Sequence, residues 1–243
     1  MTNGAVTLQV QSLSKAFGGV HAVDDASVDF LPGKINAIIG PNGSGKTTFF
    51  NCVTGMIRAA PGTVTLACKD VTRSTPDRIA RLNLGRSFQV CRVFPRMTVL
   101  ENMLVAVRHA SVTGPWGKAR NEAATDRARG WLRRVGIDHL EHSEARNLSY
   151  GQQKLLELAG VLMGEPDIIM LDEPAGGVNP SLIGRISTLI RELNSEGRTF
   201  IVVEHNMELV MSLSDHVVAF DRGRPIASGP PAEVQSNPQG SRP

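Results

Sequence analysis

The sequence predicts an α/β fold with a helical subdomain set into it, and three observations predict it. Three short runs, Ile35 to Ile39, Ile168 to Leu171 and Thr199 to Val203, have the length and apolar content of strands buried on both faces. Each leads into a different chemistry: a glycine-rich turn, then Asp172-Glu173, then Glu204-His205. Between the first and second, residues of about 97–163 are mostly helical in pattern and lack the β-branched runs found on either side.

Composition sets the outer limits. A chain of 243 residues suits one domain with an inserted subdomain, and 41% hydrophobic with 20% charged residues is a globular composition. The 26 basic and 23 acidic residues leave only +3, too mild and too evenly spread to suggest a nucleic-acid partner. Cys52, Cys68 and Cys91 show no C-x-x-C spacing and read as reduced thiols serving as small core residues. No uncharged apolar run approaches the roughly 18 residues of a membrane span, and Met1-Thr2-Asn3-Gly4 does not open a signal peptide. A membrane role is therefore expected only through a partner.

In chain order, Val6 to Val10 alternates as an edge strand does, Phe17-Gly18-Gly19 turns, and Val20 to Phe30 is extended up to Pro32-Gly33. Phe17, at the tip of a strand turn, could stack on a purine or cap the core. The stretch after Ile39 is Gly40-Pro41-Asn42-Gly43-Ser44-Gly45-Lys46-Thr47-Thr48, which fits G-x-x-x-x-G-K-[ST] between a strand and a helix start. Glycines let successive backbone N–H groups converge on phosphate oxygens, and the helix N-terminus adds partial positive charge. Lys46 would reach the β- and γ-phosphates and the Thr47 hydroxyl would ligate Mg²⁺. This stretch binds a nucleoside triphosphate.

Thr63 to Ala67 follows as a short strand, and Thr75-Pro76-Asp77 opens a helix through Leu82. Leu84 to Gln89 is strand-like, and Val90 to Arg96 is a loop carrying Val93-Phe94-Pro95. Thr98-Val99-Leu100-Glu101 has the form of a capping box and starts a helix to about Val107. Thr113 to Gly117 breaks the chain, and Lys118 to Val135 is helical, ending at Gly136. Ser149 and Gln152 form a second capping box ahead of an amphipathic helix through Leu162, and its small-residue start could also meet an anion.

Asp172 and Glu173 place two carboxylates at the carboxyl end of a buried strand, where α/β sheets bind ligands. There Asp172 would complete a Mg²⁺ shell and Glu173 would polarise an attacking water. His205 ends another core strand and could be catalytic or a structural hydrogen-bonder. Asp215 to Phe220 and Pro225 to Ala227 form a closing hairpin, and the low-complexity tail is expected to be poorly ordered.

These residues, from about 6 to 235, resemble the ATP-binding subunits of ABC transporters. Leu148-Ser149-Tyr150-Gly151-Gln152 carries the resemblance, since it looks like that family's signature motif. The resemblance implies a P-loop NTPase core of ABC ATPase type, spanning 1–88 and 164–230. It adds an antiparallel β subdomain, a helical subdomain at 89–163 and a tail at 231–243. It implies ATP and Mg²⁺ as cofactors, held by Phe17 on adenine, Gly40 to Thr48 on phosphates, and Thr47, Gln89 and Asp172 at the metal. Glu173, His205 and Gln89 would be catalytic. Ser149, Gly151 and Gln152 would contact ATP held by a second subunit. Phe17 stands where Tyr is commoner, Asn179 where Asp is frequent.

Ala175-Gly176-Gly177-Val178-Asn179-Pro180, the run from Phe88-Gln89 to Asn102, and Val203 to Met207 are similar to the form used by branched-chain amino acid importers, although Asn206 stands where that subgroup usually has Asp. The implied partners are a second ATP-binding subunit, multi-spanning permeases and, indirectly, a substrate-binding protein. The implied location is the cytoplasmic face of the membrane, and Phe94 would lie near the groove that receives a permease helix. Urea or amide importers, lipopolysaccharide-export ATPases and a cytosolic ATPase of iron–sulfur assembly are the rival expectations.

Overall fold

A computed structural model describes residues 7–87, 92–107 and 115–236. The chain opens with β1 (Leu8–Phe17), β2 (Val20–Phe30), β3 (Ile35–Ile39), α1 (Lys46–Val53), β4 (Thr63–Leu66), β5 (Lys69–Asp70), α2 (Pro76–Ala80) and β6 (Leu84–Arg86). Helices α3 (Val99–Val105), α4 (Pro115–Val135) and α5 (Tyr150–Leu162) follow, with short 3₁₀ turns at Asp138–Leu140 and Ala145–Asn147. The remainder is β7 (Ile168–Asp172), α6 (Pro180–Ser195), β8 (Thr199–Val203), α7 (Met207–Leu213), β9 (His216–Asp221), β10 (Arg224–Gly229) and α8 (Pro231–Ser236).

The chain divides into two units. The first takes the residues up to 86, 167–173 and those from 191 onward. It holds a six-stranded sheet of order β10-β9-β3-β8-β7-β6 and a four-stranded sheet of order β2-β1-β4-β5. In the larger sheet only β10 runs antiparallel to its neighbour. Strands β3, β7 and β8 are buried at every position, as expected of strands with neighbours on both edges and both faces covered. Asn36, the one polar residue of β3, is fully buried. Its amide donates to the carbonyls of Leu31, Lys34 and Phe200, and its Oδ1 accepts from the Leu31 N–H. Phe49 of α1 meets Phe220 of β9 with ring centroids 5.0 Å apart, seating the helix on the sheet.

Residues 87–166 and 174–190 form the second unit. Its core follows helical spacing: Ala124, Ala128, Trp131, Leu132 and Val135 on α4, and Leu155, Leu156, Leu158, Ala159 and Leu162 on α5 are all buried.

Several expectations change. The first strand is not an edge: β1 pairs with β2 on one side and β4 on the other, because the short β4–β5 hairpin folds back onto it. Helix α4 begins at Pro115, within the expected break, since proline is well suited to the first helical turn. Residues 174–190, expected in the core, group with the helical unit. The tail expected to be poorly ordered from 231 starts instead with α8, pinned by buried Val234. Cys52 is buried, and burial raises its thiol to about 11, but Cys68 is exposed on the β4–β5 turn and is no core residue; Cys91 lies outside the described residues.

Candidate functional site

Strand β3 delivers the chain to the carboxyl edge of the central sheet, and Gly40 to Gly45 turn it there into α1. The glycines are required by space and by dihedral. Gly40 (φ +147) would place a Cβ 2.2 Å from the Phe220 carbonyl oxygen, and Gly45 (φ +96) one 2.1 Å from that of Ala22. Two backbone bonds brace the turn: the Gly223 N–H donates to the Ser44 carbonyl, and the Asp24 N–H donates to the Gly223 carbonyl. Gly45→Ala adds both a backbone collision and left-handed strain of about 1–3 kcal/mol, so roughly a tenfold or greater loss of ATP affinity is expected in equilibrium titration.

Lys46, 7% exposed, bends back into the turn and donates to the carbonyls of Gly40 (2.7 Å) and Pro41 (2.9 Å). The ammonium thus rests where the loop's own oxygens stand in for an anion. Burial pushes it below the ordinary lysine range, while the carboxylates of Glu173 and Asp172 oppose that shift. The P-loop cation and the strand-end carboxylates therefore lie within electrostatic reach. No side chain caps α1, whose N-cap is Gly45, so its first N–H groups remain available to phosphate. Thr47 is exposed and Thr48 half-buried at that terminus.

Asp172 closes β7 at 1% exposure, with Arg86 Nη2 3.7 Å from its Oδ2. Glu173 follows in the left-handed region (φ +49), its N–H donating to the Val203 carbonyl at 2.9 Å. A non-glycine residue held there is strained, and the neighbouring strand holds it. Its carboxylate is 26% exposed and lies 3.8 Å from Nδ1 of His205, beyond hydrogen-bond range. So the two carboxylates are in different settings: Asp172 buried beside a cation, Glu173 open to water. Such a pair can divide metal binding and proton acceptance. Asp172 and Thr47 supply oxygen donors only, the chemistry a Mg²⁺ ion takes. Among the described residues no group of three or more His, Cys, Asp or Glu could hold a metal alone.

Phe17 ends β1 with its ring 49% exposed, which excludes the core-capping role. Lys15 Nζ sits 5.1 Å from its centroid. Gln89 lies outside the described residues.

In the second unit, the capping box of α5 is formed in full. Ser149 N donates to Gln152 Oε1 at 2.8 Å, and Gln152 N donates to Ser149 Oγ at 3.3 Å. Capping uses the Ser149 Oγ only as an acceptor, so its O–H can still donate to an anion, and the two roles are compatible. A Cβ at Gly151 would meet Leu182 Cδ2 at 2.6 Å, so that leucine's methyl end would have to shift to admit one. Tyr150, 44% exposed, lies beside Gly177, where a Cβ would come 3.1 Å from its ring. Ser149 to Gln152, Gly177 to Asn179 and Arg185 line a cavity of about 540 Å³. Phe94 is exposed, and Asn102 clamps its loop, accepting from Phe94 N and donating to the carbonyls of Phe94, Met97 and Thr98.

The two asparagines that depart from the family pattern now have a local role. Asn179 Oδ1 accepts from Leu182 N to cap α6, and Asn206 Oδ1 accepts from Leu209 N to cap α7. Asn and Asp serve about equally well as N-caps. Sequence reasoning missed both helices, although Asn179-Pro180 followed by Leu182, Ile186, Leu189 and Ile190 is a legible start signal and apolar stripe. It also missed Arg86, which no motif marks.

Comparison with known proteins agrees with this geometry. The family model described as "ABC transporter" matches residues 23–176. The high-affinity branched-chain amino acid transport ATP-binding protein LivG of Salmonella typhimurium is 41% identical, over 95% of this chain and 94% of its own. A probable LivG from Archaeoglobus fulgidus is also 41% identical, over 96% and 92%. A nucleotide-free ATP-binding cassette of an ABC transporter superposes with a TM-score of 0.85 at 32% identity, over 96% of both chains. Such a cassette in its ADP conformation also gives 0.85, at 33% identity with the same coverage. With a matched domain, full-length relatives and a P-loop built at the edge of the same sheet, the chain belongs to the ABC transporter family, as one of its ATP-binding cassettes.

Proposed function

We propose that this chain is the ATP-hydrolysing subunit of an importer for branched-chain or related hydrophobic amino acids. The observation that carries the substrate class is the 39–41% identity, over nearly the whole chain, to relatives named for branched-chain amino acid transport in Salmonella, Archaeoglobus and Pseudomonas. In this reading adenine stacks on Phe17, and Gly40 to Thr48 hold the phosphates with Lys46 released from its own loop onto them. Mg²⁺, when bound, neutralises phosphate charge; Thr47, Asp172 and Gln89 would hold it, with phosphate oxygens and water completing its shell. Glu173 accepts the proton of the attacking water, His205 acts beside it as the switch histidine, and Gln89 senses the γ-phosphate.

Ser149, Gly151 and Gln152 meet the ATP of a second cassette, so two chains close around two nucleotides. Only the closed pair makes both sets of contacts, and ATP therefore favours closure. The dimer works against two permeases at the cytoplasmic membrane face, with Phe94 at the docking loop and a substrate-binding protein beyond. No helix among the described residues is long and apolar enough to cross a membrane, in keeping with attachment through partners.

The test is co-expression with candidate permeases and binding protein, followed by reconstitution in liposomes. Leucine, isoleucine or valine with its binding protein should stimulate ATP hydrolysis. Stimulation by urea or short amides alone would transfer the assignment to that class. Recovery of a soluble iron–sulfur scaffold with no multi-spanning protein would end the transporter reading.

A further inference from the structure

Arg86 is the last residue of β6, and its guanidinium is almost enclosed, with the side chain 10% exposed. Burying a cation is costly unless it is paired and hydrogen-bonded. Groups from two other elements are among those that receive it. Its Nη1 donates to Thr54 Oγ1 at 2.6 Å, its plane lies 4.8 Å over the Phe50 ring, and its Nη2 is 3.7 Å from Asp172 Oδ2. Thr54 is itself fixed, its hydroxyl donating to the Phe50 carbonyl at 2.8 Å and its backbone N–H closing α1. Phe50 is completely buried.

The guanidinium therefore spans from the C-terminal end of the P-loop helix to the carboxylate at the end of β7. It does so from the strand that leads, three residues later, to Gln89. At 3.7 Å the contact with Asp172 is an ion pair and not a hydrogen bond, and a guanidinium anchored on a rigid helix at one nitrogen sets the field in which the buried carboxylate orients.

We propose that Arg86 is a positioning residue for the metal site: anchored on Phe50 and Thr54 of the P-loop helix, it holds Asp172 in the orientation from which its carboxylate meets Mg²⁺. This rests on the ATPase reading above. Arg86 touches neither nucleotide nor metal in this role. It acts through Asp172, as groups that orient metal ligands do, where substitution typically costs about 10–100-fold in metal affinity.

The experiment uses the full chain with a non-hydrolysable ATP analogue. Mn²⁺ affinity is read by electron paramagnetic resonance, and analogue affinity is read separately in EDTA. Arg86→Gln is expected to weaken Mn²⁺ binding by about 10–100-fold while metal-free analogue affinity stays near wild type. Arg86→Lys should recover part of the loss, because a single ammonium keeps the charge but cannot reach Thr54 and Asp172 together. Thr54→Val, which removes the hydroxyl that accepts from Arg86 along with its own bond to the Phe50 carbonyl, should move Mn²⁺ affinity in the same direction by less.

Unchanged Mn²⁺ affinity in Arg86→Gln would overturn the proposal. So would an equal loss of metal-free analogue binding, which would make Arg86 a prop for the helix alone. If Arg86→Gln does not fold, Arg86→Lys and Thr54→Val decide, and wild-type Mn²⁺ affinity in both would overturn it. Failure of the wild-type chain to bind the analogue at all would instead sink the ATPase reading.

Discussion

Glu173→Gln is expected to lower the ATP hydrolysis rate by about 10²–10⁴-fold while leaving ATP binding near wild type. The amide has the size of the carboxylate but cannot take a proton. The residue's backbone is held by the Val203 carbonyl, which the amide variant leaves in place, so the exchange of one oxygen for nitrogen falls on the side chain alone. Left-handed backbone at this position sets a partly exposed carboxylate directly after buried Asp172. Two consequences can be measured together. Phosphate release should fall in a steady-state assay, and ATP should shift the protein to a dimer on size exclusion, because the closed pair no longer discharges its γ-phosphate. Hydrolysis within a few-fold of wild type would remove Glu173 from the role of base.

Ser149→Arg should abolish cooperative hydrolysis while the isolated chain keeps its nucleotide affinity. Ser149 belongs to the second unit and sits at the exposed start of α5, whereas the phosphate loop belongs to the first. In the proposed dimer an arginine there would fill the approach to a partner's phosphates and remove the hydroxyl donor. It also costs a helix cap, about 0.5–2 kcal/mol, which should appear as a modestly lower melting temperature. Binding of a fluorescent ATP analogue to monomer and the Hill coefficient of hydrolysis separate the effects. Collapse of monomer binding would make Ser149 a structural cap only. Retained cooperativity would remove it from contact with the second nucleotide.

Much of this site could be read in the sequence because its signals are local. The spacing of Gly40, Gly45, Lys46 and Thr47 demands a particular turn, and Asp172-Glu173 after four apolar residues marks a strand end at a binding edge. Thr98-Glu101 and Ser149-Gln152 each announce a helix start within four residues, and both boxes form. What escaped depends on contacts distant in the chain. Arg86 acquires meaning only when the crossover connections lay β6 beside β7, some 80 residues on, and no periodicity reports that. The interior place of β1 depends likewise on β4 returning to it. Helix α6 was missed for a different reason: its glycine-rich approach, Gly176-Gly177, masks a good cap and stripe that follow immediately.

The support of the phosphate loop has a consequence for how the protein comes into being. Strand β3 pairs only with β8 and β9, and the turn after it leans on Phe220 and Gly223. The ribosome makes the loop before this part of its scaffold. At roughly 5–20 residues per second, the some 180 residues between them take on the order of 10–40 s. Through that interval the nascent chain carries a complete nucleotide-binding motif without the β8, β9 and Gly223 supports of its native turn. ATP can become a ligand, and begin to stabilise the fold, only after β8, β9 and Gly223 have been made.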